Sequence, residues 1–277
     1  ARAGSGLAAA GDRVTVALYV PGDRPDRFGK AVESGADVVI LDLEDAVAHD
    51  RKAVAREAVD EFLRQRGPIG LQVRIGGLDD LETLAAHEVE LRVPKVRGAA
   101  DLDAVVDRLD LDSRRLHAII EDAVGVARLD EIAAHAAVAS VALGESDLRS
   151  DLGATSPAMI EHLRILLVLA ARGAGLPAPL MSVYPAIADL DGLEADCRAG
   201  AALGFGGRAA VHPKQIEVIR RAFAPSEDDV AWAEGVLEAL AQGGGVTTLA
   251  DGQMVDQAMR ARAERILARR MPPPPVQ

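Results

Sequence analysis

The sequence predicts a (β/α)8 TIM barrel followed by a C-terminal helical extension. Apolar, β-branched runs recur along the chain, and helical patterns separate them. Runs of this kind are typical of parallel strands that are buried on both faces. About eight such units occupy roughly 210 residues, which is what a TIM barrel requires. An open, doubly wound sheet is the alternative arrangement of the same units.

The predicted strands follow one another as far as Pro213. They are VTVALYV at Val14–Val20, DVVILDLE ending at Glu44, LQVRI ending at Ile75, VELRVPKV ending at Val96, LHAIIED ending at Asp122, VASVALGE ending at Glu145, PLMSVYP ending at Pro185 and GRAAVHP ending at Pro213. Pro25 is expected to begin a helix after the first strand, and Gly67 to end one. We therefore assign residues 1–224 to the barrel, with a short N-terminal arm over residues 1–13.

Residues 225–277 form the predicted helical extension. SEDDVAWAEGVLEALAQ indicates an amphipathic helix with a capping box formed by Ser226 and Asp229. GGGVTT predicts a flexible hinge, and DGQMVDQAMRARAERILARR predicts a second helix that PPPP ends. Composition alone slightly favours an extension that caps its own barrel over one that packs on another subunit.

Composition excludes several classes of function. The net charge is −12, which disfavours non-specific binding to nucleic acid because that binding needs an excess of cations. The single cysteine, Cys197, lies in a helical pattern and is expected to be a buried, inert thiol, in keeping with a reducing, cytoplasmic compartment. No uninterrupted apolar run approaches the ~18 residues of a membrane span.

Charged side chains gather at the predicted carboxyl ends of the strands, where TIM barrels place their active sites. They are Asp42, Glu44, Asp45, Arg74, Lys95, Glu121, Asp122, Glu145, Asp147 and His212. So many carboxylates repel one another unless a cation neutralises them, and carboxylate oxygens favour Mg²⁺ first and Mn²⁺ second. Glu121 and Asp147 end successive strands, so we expect both to reach one ion. The competing explanation is that each carboxylate caps a helix or pairs with a loop cation.

The basic residues at the strand ends leave alternatives open. Arg74 either pairs with a buried acid or grips a substrate carboxylate through its planar fork. Lys95 is expected to be solvated or ion-paired, and a Schiff-base role is the less favoured alternative. His212, a lone histidine before proline, is expected to be structural.

The chain resembles the citrate lyase β subunit and its relatives in the HpcH/HpaI aldolase family. The motifs that carry the resemblance are VPGDRPDRF, ADVVILDLEDAV, VRIG, VPK, the acid at Glu121, GESDL, AVHPKQI and GQMVD, in that order, from about Leu18 to Arg265. Each motif is weakly specific alone, but the ordered series is highly specific. The resemblance implies a TIM barrel that forms trimers. It also implies a reaction on coenzyme A thioesters.

The resemblance assigns roles to individual residues. It implies that Glu121 and Asp147 hold Mg²⁺ and that Arg74 grips the oxo acid. Basic residues near the first strand of relatives meet the phosphates of coenzyme A, and here these are Arg24 and Lys30. The family's further roles fall on Glu44 and Asp45, near the metal-bound waters, and on Asp256, which reaches the site of a neighbouring subunit. That last implication replaces the composition-based preference for a cap on the same barrel.

Three positions depart from the pattern of many relatives: Asp122, Ser146 and Ala186. They leave the metal pair intact but weaken the case for citryl-CoA itself as the substrate. The expected reaction is reversible cleavage of a 3-hydroxyacyl-CoA thioester, of the citryl-CoA or malyl-CoA type, to a 2-oxo acid such as oxaloacetate and acetyl-CoA.

Other activities remain open at this point. Related enzymes imply a malate synthase or thioesterase activity, and a metal-dependent pyruvate aldolase that needs no coenzyme A is a further enzymatic alternative. A non-catalytic subunit that works beside acyl-carrier and transferase subunits is the alternative from another class.

Overall fold

A computed structural model describes residues 13–67, 70–109, 116–242, 246–249 and 252–269 of the chain. It divides into two compact units, of which one is Thr15–Ala222. The described residues outside that range belong to the second unit. The predicted N-terminal arm, apart from Arg13, lies outside the described residues, and so do the three glycines of the predicted hinge and the prolines of PPPP.

The first unit is a nearly closed barrel of parallel strands, as predicted. Within the described residues it has eight strands, which pair in the order β6-β5-β4-β3-β2-β1-β8-β7. The strands are β1 (Thr15–Pro21), β2 (Val38–Asp42), β3 (Leu71–Arg74), β4 (Glu90–Val93), β5 (Leu116–Ile120), β6 (Val138–Leu143), β7 (Leu180–Met181) and β8 (Gly207–Ala210). Apolar side chains such as Val16, Ile40 and Val73 are fully buried, so the hydrophobic effect stabilises the sheet on both faces.

Helices follow the strands and complete the βα units. They are α1 (Phe28–Val32), α2 (Lys52–Arg66), α3 (Asp80–Leu84), α4 (Ala99–Val106), α5 (Ala123–Ala127), α6 (Leu129–Ala134), α7 (Glu145–Leu152), α8 (Pro157–Gly173), α9 (Leu190–Leu203) and α10 (Lys214–Phe223). Pro25 begins a short 3₁₀ helix, and Gly67 ends α2 with a φ of 77°. Both observations confirm the predicted helix boundaries, because proline suits the first turn and glycine a positive φ. Cys197 is buried in α9, as predicted.

Seven of the eight predicted strands extend too far at their carboxyl ends, whereas the first was predicted to end at Val20 and continues to Pro21. The largest difference is at PLMSVYP, where the strand is only Leu180–Met181. The residues after each strand leave the ladder so that their polar side chains can enter the loops above the barrel. Those loops carry six of the ten charged residues that the sequence placed at strand ends. Of the other four, Asp42 and Arg74 end β2 and β3, and Glu145 and Asp147 lie in the first turn of α7.

The second unit contains helix α11 (Glu227–Gln242), strands β9 (Val246–Thr248) and β10 (Met254–Asp256), and helix α12 (Arg260–Ala268). Ser226 and Asp229 exchange backbone-to-side-chain hydrogen bonds of 3.1 and 3.2 Å, which confirms the predicted capping box. Two predictions were wrong. VTT of the predicted hinge is β9, and MVD of the predicted second helix is β10, because the two segments pair in an antiparallel ladder.

A small apolar core holds the second unit together. Val236 and Val255 are fully buried in it, and the Arg262 guanidinium lies 4.4 Å from the centroid of the Trp232 ring. None of the helices in the described part of the chain combines the length and apolar character needed to cross a membrane.

Candidate active site

A cavity of about 380 Å³ opens at the carboxyl ends of the barrel strands. Among the residues that the sequence singled out, its lining includes Asp42, Asp45, Arg74, Glu121, Glu145, Ser146 and Asp147. The barrel fold explains the convergence, because parallel strands deliver their last residues to one face. The cavity is large enough for a small organic acid.

Arg74 is held by a buried carboxylate. Its Nε and Nη2 donate to the two carboxylate oxygens of Asp42 at 2.7 and 2.6 Å, and Asp42 is only 1% exposed. Burial disfavours the arginine cation, but the hydrogen bonds and charge of Asp42 outweigh it and raise the pKa of Arg74. The Tyr19 ring lies 5.0 Å from the guanidinium carbon. Of the two alternatives for Arg74, pairing with a buried acid is therefore present, and the residue also lines the cavity.

Glu44 links Arg74 to Lys95. Its Oε1 accepts a hydrogen bond of 2.7 Å from Lys95 Nζ, while its Oε2 lies 2.9 Å from Arg74 Nη1. That second contact is an ion pair without hydrogen-bond alignment, and Oε2 has no aligned donor among the described residues. Burial raises the pKa of Glu44 despite the Lys95 hydrogen bond. Asp45 is more exposed and lies 3.8 Å from both cations.

Lys95 is an ion-paired lysine, as expected. The hydrogen bond that Lys95 donates to Glu44 raises the pKa of Lys95, whereas a Schiff-base lysine needs a lowered pKa to act as a nucleophile. Its φ of 55° is unusual for a residue other than glycine. This backbone conformation lets Lys95 N–H donate to Glu121 Oε2 at 3.1 Å while the side chain reaches Glu44.

Glu121 occupies a space that a glycine keeps open. A Cβ atom at Gly144 would lie 2.6 Å from Glu121 Cγ. Burial, followed by the charges of Glu44 and Asp147, raises the pKa of Glu121 to about 7. Asp147 lies in the first turn of α7 and lines the same cavity.

The acidic pair fits a hard divalent cation. Both residues offer carboxylate oxygens, and the repulsion that raises the pKa of Glu121 is relieved when a cation lies between them. Among the described residues, no group of three or more His, Cys, Asp and Glu side chains forms a ready-made metal cage. Proteins usually bind Mg²⁺ through one or two carboxylates, which leaves coordination positions for water and substrate.

Three of the strand-end residues have structural roles. Asp122 caps α5 by accepting from Gly125 N–H at 2.8 Å. Glu145 lines the cavity, but both of its carboxylate oxygens are bound by Arg164 at 2.7 and 2.9 Å. His212 accepts a hydrogen bond of 3.1 Å from the backbone N–H of Lys214, in keeping with the structural role expected for it.

Four predicted site residues do not line the cavity, and the buried Glu44 described above is the first of them. Arg24 follows β1 and donates two hydrogen bonds to Asp26, at 2.9 and 2.8 Å. Lys30 is exposed on α1. Asp256 belongs to the second unit, where its side chain accepts from Ala258 N–H at 2.9 Å and caps a short 3₁₀ helix.

The sequence reasoning missed polar residues inside the barrel. Gln72, Arg92 and His117 are 5%, 4% and 9% exposed, and Arg92 lines the cavity. The signal was present in the alternation of β3 and β4, where Gln72 precedes Arg74 by two residues and Glu90 precedes Arg92 by two. Residues two apart on a strand share a face, so a row of polar residues on the inner face could have been predicted from this alternation.

Comparison with known proteins supports a single family. The HpcH/HpaI aldolase/citrate lyase family matches residues 15–213. The chain is 36% identical to a citrate lyase subunit beta-like protein of Mycobacterium tuberculosis, over 91% of this chain and 94% of that protein. It is 34% identical to a (3S)-malyl-CoA thioesterase of Cereibacter sphaeroides, over 91% of this chain and 93% of that protein.

A solved structure agrees with the sequence relatives. The crystal structure of CitE from M. tuberculosis, in complex with magnesium, acetoacetate and coenzyme A, superposes with a TM-score of 0.80 at 35% identity. It covers 92% of this chain and 97% of that chain. On these matches, the chain belongs to the HpcH/HpaI aldolase/citrate lyase family.

Proposed function

We propose that the protein is a Mg²⁺-dependent carbon–carbon lyase. Its substrate is a 3-hydroxyacyl-CoA thioester of the citryl-CoA or malyl-CoA type, and its products are a 2-oxo acid such as oxaloacetate and acetyl-CoA. The observation that supports the proposal is the convergence of Arg74, Glu121 and Asp147 on one cavity. The magnesium and coenzyme A of the M. tuberculosis neighbour agree with it.

In this proposal Glu121 and Asp147 hold the magnesium ion. When bound, the ion supplies a Lewis acid that lowers the pKa of the substrate hydroxyl and stabilises the developing carbonyl oxygen. Glu121 is pre-positioned for this role by Lys95 N–H and by the space at Gly144.

Arg74 orients the substrate carboxylate. Asp42 binds one edge of the guanidinium, formed by Nε and Nη2, so that Nη1, which also pairs with Glu44, is the nitrogen that would meet the substrate. The hydroxyl proton passes to a carboxylate of the adjoining cluster as the carbon–carbon bond breaks. Asp45 lines the cavity and is the more exposed of the two candidates, and Glu44 is the buried one.

The electron pair of the broken bond moves into a thioester enolate, which must then take up a proton. We assign that proton to Asp256 of a neighbouring subunit in a homotrimer. Arg24 and Lys30, near the end of β1, are assigned to the phosphates of coenzyme A. In the reverse direction Asp256 removes the proton from the acyl thioester.

The test compares Asp256→Ala with Glu264→Ala, an exposed acid of the same unit. Turnover of malyl-CoA and citryl-CoA with Mg²⁺ is followed by release of the 2-oxo acid. We expect Asp256→Ala to lose turnover while Mg²⁺-dependent binding of oxaloacetate, measured by calorimetric titration, survives. The control variant should keep both. Unchanged turnover in Asp256→Ala would remove this residue from the mechanism.

Thioester hydrolysis is the second candidate, because a relative at 34% identity is a malyl-CoA thioesterase. The two activities differ in products: a lyase releases a 2-oxo acid and an acyl-CoA, whereas a thioesterase releases free coenzyme A. Thiol titration alongside oxo-acid detection separates them. The same assay on the isolated chain tests whether the protein is a subunit that needs acyl-carrier and transferase partners. Such a subunit would show no activity on free thioesters. A coenzyme A-independent aldolase would instead cleave a free hydroxy acid.

A further inference from the structure

The inside of the barrel carries an arginine that the proposed chemistry does not use. Interiors of TIM barrels are usually filled by branched apolar side chains. Here Arg92, on β4, is 4% exposed and lines the cavity. A cation buried to this extent is costly unless an anion or several acceptors satisfy it.

The surroundings of Arg92 satisfy only part of its guanidinium. Its Nε donates to Gln72 Oε1 at 2.8 Å. Gln72 is held in that orientation, because its amide nitrogen donates to Glu90 Oε2 at 3.0 Å. Within the described ranges Gln72 is the one hydrogen-bond partner of Arg92, and no described carboxylate forms an ion pair with it. An arginine has five N–H donors, so the terminal nitrogens keep donors to offer to the cavity.

Arg92 and Arg74 are neighbours, but their guanidinium groups have different partners. Their Cα atoms are paired in the ladder between β3 and β4, and paired residues of adjacent strands point to the same side. Arg74 donates to Asp42 from Nε and Nη2, and its Nη1 is paired with Glu44. Arg92 has no such carboxylate among the residues described. The cavity therefore presents one largely neutralised arginine beside one whose charge is unpaired.

We propose that Arg92 binds a second carboxylate of the substrate, so that the enzyme selects oxo acids with two carboxylates. This rests on the proposed function, in which Arg74 receives the carboxylate next to the reacting carbon. The fork of the Arg92 terminal nitrogens matches a carboxylate in a bidentate manner. A cavity of about 380 Å³ leaves room for a four-carbon dicarboxylate.

The opposing explanation is that Arg92 only fills the barrel and is balanced through Gln72 by Glu90. That role would affect every ligand of the cavity equally. Binding of a second carboxylate would affect dicarboxylates alone. Oxaloacetate and pyruvate differ by one carboxylate and so distinguish the two explanations.

The experiment is calorimetric titration of both acids into the full chain with saturating Mg²⁺. The wild type should bind oxaloacetate at least about 10-fold more tightly than pyruvate. Arg92→Met should weaken oxaloacetate binding by roughly 10- to 100-fold and change pyruvate binding by less than about 3-fold. Arg66→Met, which makes the same change on the exposed end of α2, should leave both affinities unchanged.

A second variant keeps Arg92 in place. Gln72→Glu sets a carboxylate against the Arg92 guanidinium and neutralises it with little change of shape, although it also replaces the N–H that Gln72 donates to Glu90. It should also weaken oxaloacetate selectively, which keeps the test valid if Arg92→Met does not fold. Equal losses for both acids in Gln72→Glu, or no preference for oxaloacetate in the wild type, would overturn the role of Arg92 alone. Failure of the wild type to bind either acid with Mg²⁺ would overturn the proposed function as well.

Discussion

Replacing Glu121 by glutamine should stabilise the metal-free protein at neutral and alkaline pH. Glu121 is 4% exposed, and burial with two nearby carboxylates raises its pKa to about 7. When the pKa of a carboxyl group is higher in the folded than in the unfolded state, ionisation of that group lowers the free energy of unfolding. The free energy of unfolding therefore falls as pH rises from the unfolded pKa, near 4.5, through the folded value.

The size of the effect follows from the two pKa values. The difference between about 7 and 4.5 corresponds to about 3 kcal/mol, because one pKa unit is worth 1.36 kcal/mol. Part of the penalty is already present at pH 5, so the change between pH 5 and pH 8 is about 2–3 kcal/mol. For a chain of this size that corresponds to roughly 5–10 °C in melting temperature. Glu121→Gln has no ionisable group and loses this dependence.

The assay is thermal unfolding, followed by circular dichroism in chelator at pH 5 and pH 8. The wild type should lose roughly 5–10 °C more than Glu121→Gln on going from pH 5 to pH 8. Glu82→Gln, the same change on an exposed residue of α3, should behave like the wild type. Saturating Mg²⁺ should then raise the melting temperature of the wild type at pH 8 but not that of Glu121→Gln. Identical pH dependence in wild type and Glu121→Gln would refute the electrostatic argument.

Two further substitutions test how the site is held. Asp42→Asn removes the carboxylate that binds Nε and Nη2 of Arg74 and leaves Glu44 as its remaining close partner. Urea unfolding should therefore show a loss of about 3 kcal/mol; a loss below about 1 kcal/mol would contradict the importance of this pair. Gly144→Ala places a Cβ atom 2.6 Å from Glu121 Cγ and should displace that carboxylate. Calorimetry should then give at least roughly 10-fold weaker Mg²⁺ binding, and unchanged affinity would show that the glutamate has room to move.

The barrel could be predicted because its signal is repeated. Each strand is an apolar run, and each error in a boundary leaves the alternation of strands and helices intact. The second unit offered no such repetition. MVD was assigned to a helix because the residues after it have a helical pattern, and its pairing with VTT is a contact that no local pattern reveals. Strand pairing of this kind depends on partners rather than on propensity.

The candidate site was predicted unevenly for a similar reason. The rule that strand ends form the site found Arg74, Glu121 and Asp147, and the structure brings them to one cavity. The same rule could not separate those residues from Asp122 and Glu145, whose partners are a helix end and Arg164. The residue type shows that a buried charged side chain needs a partner, but the partner itself depends on the fold.

The charged residues around the cavity differ in whether they have an ion-pair partner within the protein, and this difference separates structural residues from candidate ligand-binding residues. Asp42 neutralises Arg74, and Lys95 forms an ion pair with Glu44. The residues left without an ion pair in the described part of the chain include Glu121 and Asp147 at the mouth and Arg92 inside. In the proposals above, a divalent cation would satisfy the first two and an anionic group of the substrate would satisfy the third. These charges are thus opposite in sign and lie on one cavity, so a dicarboxylate that chelates a metal ion would complement both kinds of charge.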